Sequence, residues 1–168
     1  MIFSAIVLLV FPVLMIFAAS SDLLTMRISN LLVLMLVVGF FILALVVQMP
    51  VDQILAHLGC AAVVLIVAFA FFAFGWIGGG DAKLAAATTL WIGVGLILPY
   101  IVYSGLLGGA LTLLILALRN LPLPALLQRV TWIDRLHDKK QGVPYGIALA
   151  IAGLLVYPQS MIFQHFLA

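Results

Sequence analysis

Apolar residues run along this chain in six long blocks separated by short polar stretches, at residues 2–19, 31–47, 55–74, 84–98, 101–118 and 143–166. The blocks are Leu, Val, Ile and Ala runs without the strict alternation of a half-buried strand, so they predict helices. Each approaches or exceeds the ~17–25 residues that cross about 30 Å of hydrocarbon as a helix. The fourth is the shortest, and Pro99-Tyr100 has to serve as a very tight turn into the fifth. No basic residue precedes the first block and no small-residue cleavage site follows it, so it reads as a retained helix. With no repeat or low-complexity linker, the pattern predicts a single domain over residues 1–168. It is an all-α membrane protein, a six-transmembrane-helix bundle with a long cytoplasmic loop between helices five and six.

Composition agrees. Apolar residues make up 67% of the chain and charged residues 7%, against roughly 45–50% and about 25% in soluble domains. A barrel would show short alternating strands instead. The lone Cys60 excludes a disulfide framework, and a net charge of +2 is too small to suggest nucleic acid. Charge then orients the bundle. Arg27, Lys83, Arg119, Arg129, Arg135, Lys139 and Lys140 are all the Lys and Arg residues, and with six spans all lie after spans one, three and five. The opposite side carries Asp52, His57 and His165. The positive-inside rule therefore places the basic side in the cytoplasm and both termini outside.

In the long loop at 119–142, Leu121-Pro122-Leu123-Pro124 cannot continue a helix. Beyond it, Leu126, Val130, Ile133 and Leu136 recur near helical spacing beside Trp132. This stretch is either an interfacial amphipathic helix or a solvated connector whose basic residues fix orientation. Gly105 and Gly109, four apart in span five, predict a helix-packing surface.

The candidate chemistry lies in two aspartates. The chain has five acidic residues, all aspartate. Asp22 ends the first block in Ser20-Ser21-Asp22-Leu23-Leu24-Thr25-Met26-Arg27-Ile28-Ser29-Asn30. Asp81 stands in Gly78-Gly79-Gly80-Asp81-Ala82-Lys83, before the fourth. A carboxylate at a bilayer edge is costly and marks a functional site by default. Each could instead cap a helix or turn, Asp81 as N-cap of span four. Against capping, both fall on one side of the membrane, Asp81 follows three glycines, and Asn30 and Lys83 add polar company. Two close carboxylates suffice for metal-free peptide hydrolysis, because the pair holds one shared proton and so contains both a base and an acid. Lys83 lies about 200° around a helix from Asp81 and is not expected to pair with it. No two of the three histidines have the i, i+4 spacing of a helical metal site, and Ser20, Ser21 and Ser104 have no evident base.

These motifs resemble those of a known family. Gly78-Gly79-Gly80-Asp81 fits the GxGD motif of intramembrane aspartic proteases, and Lys83 extends it to the GxGDxK form of prepilin peptidases. Asp22, Arg27, Ile28 and Asn30 resemble the family's other aspartate block. Val143-Pro144-Tyr145-Gly146 resembles its third, comparable to the Pro-Ala-Leu element of presenilin-type proteases. The short form is most similar to the peptidases of tight-adherence (Flp-type) pilus systems. The resemblance implies a bacterial inner-membrane endopeptidase with Asp22 and Asp81 catalytic, no cofactor or metal, and prepilins and pilin-like proteins in the bilayer as substrates. It further implies that Gly78, Gly79 and Gly80 admit an extended substrate strand, that Pro144, Tyr145 and Gly146 present backbone groups to it, and that Lys83 and Asn30 help shape the site. Bifunctional relatives carry paired CxxC zinc motifs and also N-methylate; with one cysteine, this chain is expected to cleave only. The competing reading is a non-enzymatic polytopic subunit or small proton-coupled carrier, whose acids should lie nearer the bilayer midplane.

Overall fold

A computed structural model describes residues 2–167, with side chains over 7–166. Among the described residues the chain is helical, without strand: α1 (Ile2–Thr25), α2 (Asn30–Val46), α3 (Val51–Ala73), α4 (Gly79–Ile92), α5 (Ile97–Leu118), α6 (Ala125–Gln128), α7 (Thr131–His137), α8 (Gly146–Val156) and α9 (Met161–Leu167). Among the described residues three stretches are long and apolar enough to cross a membrane, Val7–Thr25, Val51–Ala73 and Val94–Leu118, and two shorter apolar helices are Asn30–Val46 and Gly146–Gln159. Large apolar side chains face outward on α1, α2, α3 and α5, among them Phe17, Leu45, Ile66 and Leu113. With this much apolar surface facing out, the protein is a membrane protein whose solvent is lipid.

The centre of the molecule is α4. It packs against α2, α3 and α8, and Ala82, Leu84 and the whole run from Ala86 to Ile92 are buried. Its anchor is Trp91, fully buried, with its indole N–H donating to the Leu36 carbonyl at 2.9 Å. Phe11 of α1, Phe40 of α2 and Tyr157 ring it, with centroids 5.2, 6.4 and 6.2 Å away. Aromatic surface of this size carries most of the packing energy of a core, and the tilted and edge contacts add ~0.5–1.5 kcal/mol each.

The turns follow from local chemistry. α3 ends in a Schellman motif: Gly75 takes φ 74°, its N–H donates to Phe72 O, and Trp76 N–H donates to Phe71 O. α2 closes the same way with Gln48 at φ 51° and Met49 N–H on Ala44 O, and Pro50 then starts α3.

Several boundaries differ from the sequence expectation. The fourth helix starts at Gly79 rather than 84, and it stops at Gly93, φ 75°, rather than at Pro99-Tyr100. Pro99 sits in the first turn of α5, where a missing N–H costs nothing. The sixth block is not one helix, since a 3-10 turn at Tyr157–Gln159 separates α8 from α9. The expected stripe in the 119–142 segment is interrupted between α6 and α7: Leu126 and Val130 face outward, whereas Ile133 and Leu136 line an apolar cavity of about 380 Å³ with Leu118 and Leu127. Gly105 and Gly109 face open space; the glycine that packs is Gly108, whose bare Cα is covered by the Tyr145 ring.

Candidate active site

The helices that carry the acids are finished differently from the sequence expectation. α1 continues past residue 19, so Asp22 belongs to its last turn and is 5% exposed. The chain then reverses at Met26, φ 54°, with Met26 N–H on Asp22 O at 2.8 Å. A non-glycine residue there is held at a cost, and the polar residues around it hold it. Ser21 Oγ donates to Arg27 O at 2.9 Å, Thr25 Oγ1 donates to Ser21 O at 2.7 Å, and Ser29 caps α2 by accepting Leu32 N–H at 3.2 Å. The polar string from Ser20 to Asn30 thus builds a tight helix–turn–helix that points Asp22 inward.

Asp81 is the third residue of α4, not its N-cap; that place belongs to Gly78. Each glycine of the triplet meets a different neighbour. A Cβ on Gly78 would stand 2.9 Å from the Asp81 carboxylate, one on Gly79 would stand 3.2 Å from the Phe72 ring, and one on Gly80 would stand 3.2 Å from Ile28 Cβ. The triplet therefore serves the close packing of this chain upon itself as well as lining the cleft.

Asp22 and Asp81 line one cleft of about 670 Å³ together with Arg27, Ile28, Asn30 and Gly78–Gly80. Asp81, ahead of the apolar part of α4, has its carboxyl pushed up to about 7. Burial is the main cause and the nearby Asp22 charge the second, while the Gly78 amide pulls the other way. Asp22 accepts the Gly146 N–H through Oδ2 at 2.7 Å. Gly146 is required there, since a Cβ would fall 2.7 Å from that oxygen and 2.8 Å from Ile28 Cδ1. A second cavity of about 620 Å³ opens on the other side of Asp81, lined by Trp76, Thr112, Val143 and Tyr145.

The remaining singled-out residues fall around this pair. Lys83 Nζ donates to Asn30 Oδ1 at 2.9 Å, tying the start of α4 to the start of α2 rather than pairing with Asp81. Tyr145 OH donates to the Ser104 carbonyl at 2.9 Å. Backbone groups in the Pro144-Tyr145-Gly146 turn are engaged within the protein: Pro144 O accepts from Ile147, Tyr145 O accepts from Leu149, and the Gly146 N–H is held by Asp22. Sequence reasoning missed this last bond, and with it Ile28 as the side chain wedged between Gly80 and Gly146. The bond carries no sequence signal, because it joins residues 124 apart in the chain, and the place of Ile28 in the Asp22–Asn30 block does not say that it packs between two distant glycines.

The arrangement defines a class first: a membrane helical protein with two carboxylates brought to one cleft at the ends of two helices. The sequence profile of the type IV leader peptidase family matches residues 9–113, well over half of the chain and inclusive of both aspartates, and the chain belongs to that family. It is a membrane protease of the leader-peptidase kind. No curated protein and no solved structure matches the chain. The turn that binds Asp22, at Gly146, lies beyond the matched residues.

Proposed function

We propose that this protein is an aspartic endopeptidase that removes the basic leader from type IV prepilins and pilin-like proteins at the cytoplasmic edge of the inner membrane, without N-methylation. The observation that carries the reading is the single cleft shared by Asp22 and Asp81, with the Asp22 charge acting on Asp81. The roles divide by environment. Asp81, held protonated to about pH 7, is the acid that donates to the carbonyl oxygen of the scissile bond. Asp22, whose Oδ2 already accepts a backbone N–H, is the base that takes a proton from the attacking water. The two titrate as a pair, so only the singly protonated state is competent.

Both acids stand in the end turns of their helices, away from the middle of the apolar segments, where a carrier would hold them. A substrate helix beside the bundle would place its leader junction at this level, and the cleft lined by Gly78–Gly80 receives the unwound backbone. Six membrane crossings, with the basic segments and the cleft in the cytoplasm, complete the reading.

Asp22→Asn and Asp81→Asn should each lower prepilin cleavage by at least ~10³-fold, since neither acid can do the other's half of the proton transfer. Both proteins should remain in the membrane, and Asp52→Asn should cleave as the parent does. Activity should be indifferent to EDTA. Processing by either dyad variant at a tenth of the parent rate, or loss on chelation with recovery on adding zinc, would sink the assignment.

A further inference from the structure

The contact that holds Asp22 has a partner further along the chain. In an uninterrupted helix the Gly146 N–H would donate to the carbonyl four residues back, that of Gly142. It donates instead to Asp22 Oδ2, at 2.7 Å. The Gly142 carbonyl is not left over, because Arg119 Nη2 donates to it at 2.8 Å. The same guanidinium donates through Nε to Leu136 O at 2.8 Å, one of the carbonyls that the last turn of α7 leaves without an intrahelical donor.

We infer that Arg119 is a positioning residue: by occupying the Gly142 carbonyl it keeps the Gly146 N–H available to Asp22, and so sets the orientation of that carboxylate. The inference deepens the proteolytic reading and rests on it for the consequence to catalysis. Arg119 does not line the acid cleft, and it is 6% exposed. A buried cation is expensive unless its donors are met. Here two of its five donors are met by carbonyls from separate segments, an arrangement that suits a planar fork and does not suit the single point of a lysine. Arg135 steadies the same unit from the other side, donating to Leu24 O at 3.0 Å, two residues beyond Asp22. Pro144 makes the alternative cheap to reach, since proline is tolerated in a first turn. Without Arg119 the orphaned Gly142 carbonyl competes for the Gly146 N–H, and α8 gains a turn at the expense of Asp22.

The test uses the full-length protein in detergent or nanodiscs with glycine-selective 15N labelling, the Gly146 amide being assigned by its loss in Gly146→Ala. In the parent this amide should resonate downfield, as a donor to a carboxylate. Asp22→Ala and Arg119→Gln should move it upfield alike, and Arg119→Lys, which keeps the charge and reaches at most one carbonyl, should move it part of the way. In prepilin cleavage Arg119→Gln should lower kcat by about 10–100-fold with KM within about twofold, as expected for a misplaced catalytic group, and Arg119→Lys should fall between. If Arg119→Gln does not fold, Arg119→Lys alone decides. A Gly146 resonance unmoved by every Arg119 variant that folds overturns the inference, as does a rise in KM with kcat unchanged. A parent enzyme that cleaves no prepilin, with the amide still responding to Arg119, defeats the proteolytic reading and upholds the role of Arg119 in holding Asp22.

Discussion

At the residue scale the two carboxylates are set apart by what surrounds them. Asp22 is buried and pinned by a backbone amide, whereas Asp81 is half-buried at its own helix start and feels its partner's charge. Folded Asp81 keeps its proton to about pH 7, while in the unfolded chain it would ionise near 3.8. The folded state therefore binds the proton more tightly. Its contribution to stability is whole below about pH 3.8 and is lost progressively as pH rises toward 7. Asp81→Asn cannot ionise, so its stability relative to the parent should improve between pH 5 and pH 8 by about 1–2 kcal/mol, a figure reduced for the open side of the cleft. Thermal unfolding in detergent at the two pH values measures it, and an equal difference at both would contradict the burial of this group. Gly78→Ala acts on the same carboxyl from the outside. Its Cβ would stand 2.9 Å from Asp81 Oδ2, so the acid must swing away, and kcat should fall about 10-fold or more with the protein still folded.

At the scale of elements, what was legible in the sequence was what local pattern controls. The apolar blocks announce helices, and the polar strings at 20–30 and 78–83 announce where chemistry sits, because glycine, serine and aspartate at a membrane edge need a reason. The end of α4 was not legible. A 14-residue helix buried against its neighbours does not have to match the bilayer thickness, so hydropathy extended it to 98, whereas a tertiary contact ends it at Gly93. His57 of α3 bonds the Leu90 carbonyl through Nδ1 at 2.7 Å and stacks on Phe40 at 5.4 Å, and its ring occupies the space where a Cβ of Gly93 would be, 2.6 Å from Nε2. Gly93→Ala should therefore cost about 2–3 kcal/mol, from positive φ and from displacing the imidazole together. A melting temperature within a degree of the parent would show that the turn is set by something else. Trp91→Ala, which empties the centre of the bundle and removes the indole bond to the Leu36 carbonyl, should cost ~3–5 kcal/mol. Nor was the Asp22–Gly146 bond legible, since no periodicity in a sequence reports which distant turn will face a given carboxylate.

At the scale of the whole molecule, the basic residues and the acids gather at one end. Lys83 reaches Asn30, Arg135 reaches Leu24, and Lys139 approaches Asn120 at 3.5 Å, so three pairs of segments distant in sequence are tied together by basic side chains. The turn at Gln48 between α2 and α3 carries no basic residue and lies one helix length away. If the bilayer is crossed between these ends, the positive-inside rule puts the cleft in the cytoplasm, the compartment in which a prepilin leader remains. Single cysteines test this directly. Cys60 is the chain's one native cysteine and is buried in α3, so background labelling should be low and can be removed by Cys60→Ala. Gln48→Cys should react with a membrane-impermeant maleimide in intact spheroplasts, and Gln141→Cys only once the cytoplasmic face is opened. Reversed sidedness would place Asp22 and Asp81 where no leader is presented, and the proteolytic assignment could not stand in its present form. Labelling of both positions in intact spheroplasts would instead mean an even number of crossings between them, and the 14-residue α4 would have to be re-read as lying within the bundle without spanning the membrane.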